Sequence, residues 1–269
     1  MEPEPFLRVT RLGKSFARRT WWAGQRESNA ALHDISFSLA RGRTLGVVGP
    51  SGSGKSTLAR CLALFDAPTS GEIFFEGKNL WKRDAKQRRT VRSQIHLIFQ
   101  EPAASLNPRF TAAEIVEEPL VIQKRGSVRE RRVRAGELLE MVGLARDATA
   151  KRPCEFSGGE RHRLAIARAL ALEPGLLILD ESFSGLDLAI QVQLESLLLD
   201  LQKRLSLTYI LISHDLSAVA SLADEIAVLD RGELVEHSSA ANLLAHPIHP
   251  RTKELVEASL ALRWDGAQA

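Results

Sequence analysis

The sequence predicts an α/β fold: a mostly parallel core sheet, an antiparallel N-terminal β segment and an inserted α-helical segment. Three observations carry that prediction. Short apolar runs such as Leu45-Gly46-Val47-Val48 and Leu176-Leu177-Ile178-Leu179 alternate with stretches of helical spacing, and strands that alternate with helices pair in parallel. The first forty residues carry two strand-like runs with only a polar stretch between them. Residues from about 101 to 160 read as helix after helix.

Taken in order, Phe6–Thr10 and Leu32–Leu39 are strands, the second alternating at Ile35, Phe37 and Leu39. The polar, basic stretch Arg18–Asn29 between them reads as a long surface hairpin loop holding Trp21 and Trp22. Leu45–Val48 is a buried strand, Ser53–Leu64 a helix, and Gly71–Phe75 and Ile95–Phe99 further strands. Thr111–Gln123 and Ser127–Val142 follow as helices; Ser127 with Glu130 makes a capping box and Gly143 a stop. Then come the helix Glu160–Leu172, the strand Leu176–Leu179, the helix Ala189–Leu205 and the strand Tyr209–Ile212. Ile226–Leu229 and Glu233–Glu236 form a hairpin around Asp230-Arg231-Gly232.

Composition narrows the class. The 269 residues are 44% hydrophobic and 26% charged, ordinary for a globular chain with a sizeable core. A net charge of +3, from 36 basic and 33 acidic residues, is mild for a nucleic-acid binder. Cys61 and Cys154 stand far apart, which supports neither a disulfide framework nor a cysteine metal site. The acidic start, Met1-Glu2-Pro3-Glu4-Pro5, lacks a signal pattern, and no apolar run reaches the ~18 residues that span a bilayer. Membrane association is expected only through a partner.

The chemistry starts at Gly49-Pro50-Ser51-Gly52-Ser53-Gly54-Lys55-Ser56, which fits G-x-x-x-x-G-K-[ST] between a strand and a helix. Glycines let a backbone wrap closely around phosphate, and the following helix adds its positive end. Lys55 reaches the β- and γ-phosphates in this reading, Ser56 ligates Mg²⁺, and Thr57 is close enough to bond a phosphate. Downstream, the strand Leu176–Leu179 ends in Asp180 and Glu181. Alone these acids could be solvated strand-end charges. With the loop upstream, Asp180 suits the Mg²⁺ shell and Glu181 the base that orients the attacking water. Phe156-Ser157-Gly158-Gly159-Glu160 then opens a second helix on serine and two glycines, another anion-binding N-terminus.

That last segment resembles the signature motif of ABC ATPases, Leu-Ser-Gly-Gly-Gln, and the order of the other motifs is similar to that family from about residue 6 to 255. The resemblance implies one nucleotide-binding domain over 1–255, with a helical subdomain inserted at about 101–160 and a tail at 256–269. It implies a Mg²⁺-dependent ATPase with ATP as substrate. Gln100 matches the glutamine loop that senses Mg²⁺, and His214 the switch histidine at the γ-phosphate. Ser184-Gly185-Leu186-Asp187 matches the D-loop, so Asp187 joins the nucleotide-binding set. Ser157, Gly158 and Gly159 of one chain are expected to cover ATP held by a second, either another copy or a related chain. Phe16 takes the adenine-stacking place, with Trp21 and Trp22 as competitors.

Three departures from the family stand out: Glu160 for glutamine and Phe156 for leucine, whose combined effect is altered tuning, and Ser182-Phe183 for Pro-Thr. The charge of Glu160 is expected to weaken closure on ATP. Ala104-Ser105-Leu106-Asn107-Pro108-Arg109 and His246-Pro247-Ile248-His249-Pro250-Arg251-Thr252 resemble the dipeptide, oligopeptide and nickel importer branch. His246 and His249 read as loop surface rather than metal ligands, and the cysteine cluster of some relatives is absent. The resemblance thus implies a peripheral subunit on the cytoplasmic face of the inner membrane. Its partners are permease subunits and, through them, an extracytoplasmic substrate-binding protein, with no nucleic acid. A soluble ABC ATPase acting on nucleic acid or ribosomes is the alternative, but it usually shows tandem cassettes, zinc insertions or long coiled coils. A regulatory module that binds without turnover is opposed by intact Lys55, Asp180, Glu181 and His214.

Overall fold

Antiparallel pairing begins the chain. β1 (Leu7–Arg19) pairs with β2 (Arg26–Leu39) from Leu7↔Leu39 to Arg19↔Arg26, with register irregularities between Val9 and Ser15. Leu7 and Val9 on one strand and Ile35, Phe37 and Leu39 on the other are buried, as a period-2 pattern requires, and Leu12 is buried beyond the register shift that follows Val9. The computed structural model describes residues 4–19, 26–99, 102–183 and 185–265. Its contacts divide the chain into two compact units, residues 1–92 with 208–269, and residues 93–207.

The expected hairpin loop over Arg18–Asn29 is corrected here. The ladder continues through Phe16↔Asn29, Ala17↔Ser28 and Arg18↔Glu27, leaving residues 20–25 as the connection. Backbone hydrogen bonds form such a ladder whatever the side chains, so a polar sequence without alternation can enter it. Trp21 and Trp22 lie outside the described residues.

β3 (Thr44–Val48) is buried at every position and runs into α1 (Lys55–Leu62). β4 (Ser70–Phe75) returns antiparallel to β1, and the short β5 (Lys78–Asn79) completes the order β2-β1-β4-β5. α2 (Ala85–Arg92), which the hydrophobic pattern did not announce, buries Val91 alone.

The second unit opens with β6 (Ile95–Ile98). α3 (Ala112–Ile122) and α4 (Val128–Met141) each start on a capping box, Thr111 with Glu114 and Ser127 with Glu130. Gly143, at φ 77°, stops the second one as expected. α5 (Gly158–Leu170) packs on both, and Leu164 and Ala167 on it, Ile115 and Val116 on α3 and Leu138 and Leu139 on α4 are all buried. β7 (Leu176–Asp180) runs parallel to β6 in the register Ile95↔Leu176 to Ile98↔Leu179, and α6 (Leu188–Leu205) follows it.

The chain then rejoins the first unit. β8 (Thr208–Ser213) lies parallel to one side of β3. After α7 (Leu216–Ala220), β9 (Glu225–Asp230) lies parallel to the other side. Three parallel strands buried on both faces explain why these runs are apolar throughout rather than alternating. β10 (Glu233–Ser239) turns back on β9 through Arg231 and Gly232, both at positive φ, as a two-residue hairpin demands.

α8 (Ala240–Ala245) and α9 (Pro250–Asp265) close the chain, with Val256 and Ser259 buried on α9. The segment from His246 to Thr252 is a clamp. The N–H groups of Ile248 and His249 donate to the Glu236 carboxylate at 3.1 and 2.8 Å, and Arg251 pairs with Asp230 at 3.6 Å. Among the described residues no helix is long and apolar enough to cross a membrane.

Candidate functional site

In the first unit the loop between β3 and α1 is built around what its glycines leave out. A Cβ on Gly49 would collide with the Leu229 carbonyl oxygen, and one on Gly54 would lie 2.6 Å from the Ala31 carbonyl oxygen. Gly54 also has φ 105°, Gly52 has φ 80°, and nothing lies within 4 Å of where a Gly52 side chain would start. The loop thus requires glycine at 49 and 54 for close packing and at 52 for its backbone turn. Gly54 caps α1 with no side-chain oxygen, and the first turn of α1 carries no acid. The positive end of that helix therefore has neither a carboxylate nor a hydroxyl cap on it.

Lys55 is only 5% exposed, and its Nζ donates to the carbonyl oxygens of Gly49 and Pro50 at 2.8 and 2.9 Å. Ser53 is buried as well, with no hydrogen-bond partner for its Oγ among the described residues. An orphaned buried hydroxyl, a glycine cradle and a folded-in ammonium together fit a polyanion, because each group gains a partner when phosphate oxygens enter. The expected residues Pro50, Ser51, Ser56 and Thr57 all belong to this loop and the first turn of α1.

The parallel register places Val48 beside Ser213, so the chain leaves both strands side by side, toward Gly49 on one and His214 on the other. The structure therefore brings His214 to the same strand ends as the loop. Asp215 fixes the next turn by accepting from the Ser217 N–H at 2.8 Å as the cap of α7. Phe16, 44% exposed on β1, presents a free aromatic surface. Lys14 approaches it, with Nζ 4.9 Å from the ring centroid and donating to the Ala67 carbonyl at 2.7 Å. Motif reading missed Lys14, although its i, i+2 spacing to Phe16 puts both on one strand face. Cys61 sits buried in α1, and burial pushes its thiol up to about 11, so it is a packing residue without nucleophilic character.

In the second unit, Asp180 ends β7 and is 8% exposed. Glu181 follows at φ 49°, a left-handed conformation that turns the chain sharply at the strand end. Ile98 pairs with Leu179, so β6 and β7 end together. Gln100, expected just after β6, and Ser184 of the D-loop lie outside the described residues. Asp187 caps α6 by accepting from the Ile190 N–H at 2.9 Å.

Ser157 is the N-cap of α5. Its Oγ accepts from the Glu160 N–H at 3.3 Å, and its own N–H donates to the Glu160 carboxylate at 2.8 Å. Hydrogen bonds to the carboxylate from Ser157, its backbone N–H first and then its side chain, hold the Glu160 carboxyl below the usual carboxylate range. Glu160 thus has a structural task that the motif comparison did not reveal, although Ser-x-x-Glu before an apolar helix is its signature. Phe156 is buried. A Cβ on Gly159 would lie 2.9 Å from Ile190 of α6, whereas Gly158 faces open space.

Among the described residues no group of three or more His, Cys, Asp or Glu is placed to hold a metal. Ser56 and Asp180 offer single hard oxygen donors. Each, in its own unit, is the kind of oxygen donor that Mg²⁺ takes, a cation that keeps waters and draws further ligands from bound phosphates.

Comparison with known proteins agrees with these features. A family model described as ABC transporter matches residues 32–184. The chain is 41% identical over 258 residues to the dipeptide transport ATP-binding protein DppF of Haemophilus influenzae, covering 96% of this chain and 79% of that protein. It is 45% identical over 230 residues to the oligopeptide transport ATP-binding protein OppF of Bacillus subtilis, covering 85% and 75%. Among solved structures, it resembles the ATP-binding cassette MJ0796, a dimer in a post-hydrolysis state bound to ADP and Pi, with TM-score 0.75 and 30% identity over 87% of this chain and 98% of that one. It also resembles cbiO1 of Clostridium perfringens, part of the cbiONQ complex, with TM-score 0.80 and 26% identity over 97% and 96%.

Proposed function

The chain belongs to the ABC transporter family as one of its ATP-hydrolysing subunits, and from that premise we propose that it energises the import of peptides. The observation that carries the ATPase chemistry is the loop at 49–57, where Lys55 is buried beside glycines whose 49 and 54 positions leave no room for a Cβ, and where the buried Ser53 Oγ has no hydrogen-bond partner among the described residues. The peptide cargo rests on relatives named for dipeptide and oligopeptide transport.

In this reading the backbone N–H groups of residues 49–54 and the Lys55 ammonium grip the phosphates, and Thr57 adds a hydroxyl. Phe16 stacks on the adenine. Ser56, Asp180 and Gln100 hold Mg²⁺, which when bound neutralises charge on the phosphate oxygens. Glu181 orients the attacking water and takes up its proton, while His214 contacts the γ-phosphate. Ser157, Gly158 and Gly159, with Asp187, serve the nucleotide of a second ATPase chain. A dimer of such chains, set on permease subunits at the cytoplasmic side of the membrane and served by an extracytoplasmic binding protein, completes the machine. The nickel branch that the motifs also resemble receives no support from the relatives compared, and peptides are the cargo we infer.

Glu181→Gln tests the assignment. Loss of a general base lowers turnover by about 10²–10⁴-fold. Mg·ATP binding should survive, and light scattering should show more dimer with ATP than for the unaltered chain. Unchanged hydrolysis would remove Glu181 from the role.

A further inference from the structure

The stretch of β1 around Lys14 and Phe16 is tied to both ends of the phosphate-binding segment. At one end, Lys14 pairs with Leu32 on β2, and the Leu32 side chain lies 2.9 Å from where a Gly54 Cβ would start. At the other, the connection from α1 to β4 is laced to β1. The Thr69 N–H donates to the Gly13 carbonyl at 2.8 Å, the Ser15 N–H to Thr69 Oγ1 at 2.9 Å, and Lys14 Nζ to the Ala67 carbonyl at 2.7 Å. That connection is itself locked to α1. The Phe65 N–H donates to the Arg60 carbonyl at 2.8 Å, and Arg60 pairs with Asp66 at 2.6 Å. The Lys14 ammonium also stands 4.9 Å from the centre of the Phe16 ring, within reach of a cation–π contact.

We propose that Lys14 is a positioning residue for the nucleobase: it holds the Phe16 ring in place relative to the phosphate loop, so that one nucleoside triphosphate meets both. The inference rests on the reading of Phe16 as the adenine-stacking residue. Its physical reason is preorganisation. Base and triphosphate belong to one molecule, so a site that grips both ends gains most when its own two ends are already correctly spaced. Phe16 is 44% exposed, and an exposed ring loses rotamer freedom when a base stacks on it. A cation anchored at Ala67 and drawn to one face restricts the ring beforehand and leaves the other face for the base. An apolar neighbour could not do this, because the carbonyl orients the ammonium by a charge-assisted hydrogen bond.

A lysine that only braced the connection between α1 and β4 would behave differently. Its loss would loosen α1, and with it the grip on the phosphates, whether or not a base is present. A lysine that acts through the ring affects only ligands that carry a base.

The experiment is calorimetric titration of the full chain with Mg·ATP and with Mg·tripolyphosphate, a probe without base or sugar. Phe16→Ala should weaken ATP binding by about tenfold, the loss of one base stack, and leave tripolyphosphate binding unchanged. Lys14→Met keeps the stem and removes the ammonium. It should weaken ATP binding by about twofold to fivefold, as an exposed cation–π contact implies, and again leave tripolyphosphate binding unchanged, which shows that the variant folds. In the Phe16→Ala background, Lys14→Met should add no further loss, because its effect passes through the ring. The proposal is overturned if Lys14→Met leaves ATP affinity untouched while Phe16→Ala lowers it, if Lys14→Met weakens both probes equally, or if the two losses add in the double variant. No effect of Phe16→Ala on ATP binding is a separate outcome: it removes Phe16 from the base site, and the proposal with it.

Discussion

Ser157 and Glu160 hold each other at the start of α5, so the residue that departs from the family signature is also what shapes the signature. A glutamine at 160 would keep the reciprocal bonds and drop the charge. Glycine 159 acts by absence. With Ile190 at 2.9 Å from its missing Cβ, Gly159→Val overpacks the contact of α5 with α6 and should destabilise the chain by about 1–3 kcal/mol. Urea denaturation measures it, with Gly158→Ala as the control that nothing opposes; equal midpoints for the two variants would show that α6 yields freely. Ser182 and Phe183, in place of the family's Pro-Thr, are both buried, in keeping with a change of packing.

At the scale of elements, three helices of the second unit begin on capping boxes whose acids are Glu114, Glu130 and Glu160. In each, hydrogen bonds from the cap, the backbone N–H first, hold the carboxyl below its ordinary value. A depressed folded pKa means that stability is fully present above the unfolded value. It is lost as pH falls through the folded one. Helical content should therefore decline below about pH 4.5, the region where an unperturbed glutamate titrates. Replacing all three by glutamine should flatten that acid limb in a circular dichroism titration. An unchanged limb would place the acid transition elsewhere.

The clamp on α9 gives a second expectation. Glu236→Ala strips the acceptor from two backbone N–H groups and should cost about 1–3 kcal/mol, read from the urea midpoint.

Which elements were legible follows from what holds them. β3 and β7 declared themselves because strands buried on both faces must be apolar, and the loop at 49–56 because close packing demands glycine at 49 and 54 and a left-handed turn favours it at 52. Arg18–Arg19 and Arg26–Glu27 did not, since a backbone ladder accepts polar residues and these carry no apolar alternation. α2 hid for the same reason, with Val91 its single buried residue. The box at Ser127 is legible as Ser-x-x-Glu before a helix, whereas the identical pattern at Ser157 is obscured because Glu160 also stands where the family motif has glutamine. Lys14 carried no motif at all, only its strand spacing to Phe16.

For the molecule as a whole, the family places an ATP-hydrolysing cassette here, and the two units divide the assigned residues between them. The loop at 49–57, Phe16 and His214 belong to one; Asp180, Glu181, Ser157–Gly159 and Asp187 belong to the other. What unites the account is the claim that the glycine cradle and the buried Lys55 exist to hold a triphosphate. Calorimetric titration of the purified chain with Mg·ATP tests it most directly. The account predicts saturable binding that weakens by about tenfold to a hundredfold in Lys55→Ala, the loss of a charge-assisted contact. Equal affinity of the two proteins, or no binding by the unaltered chain, would contradict it.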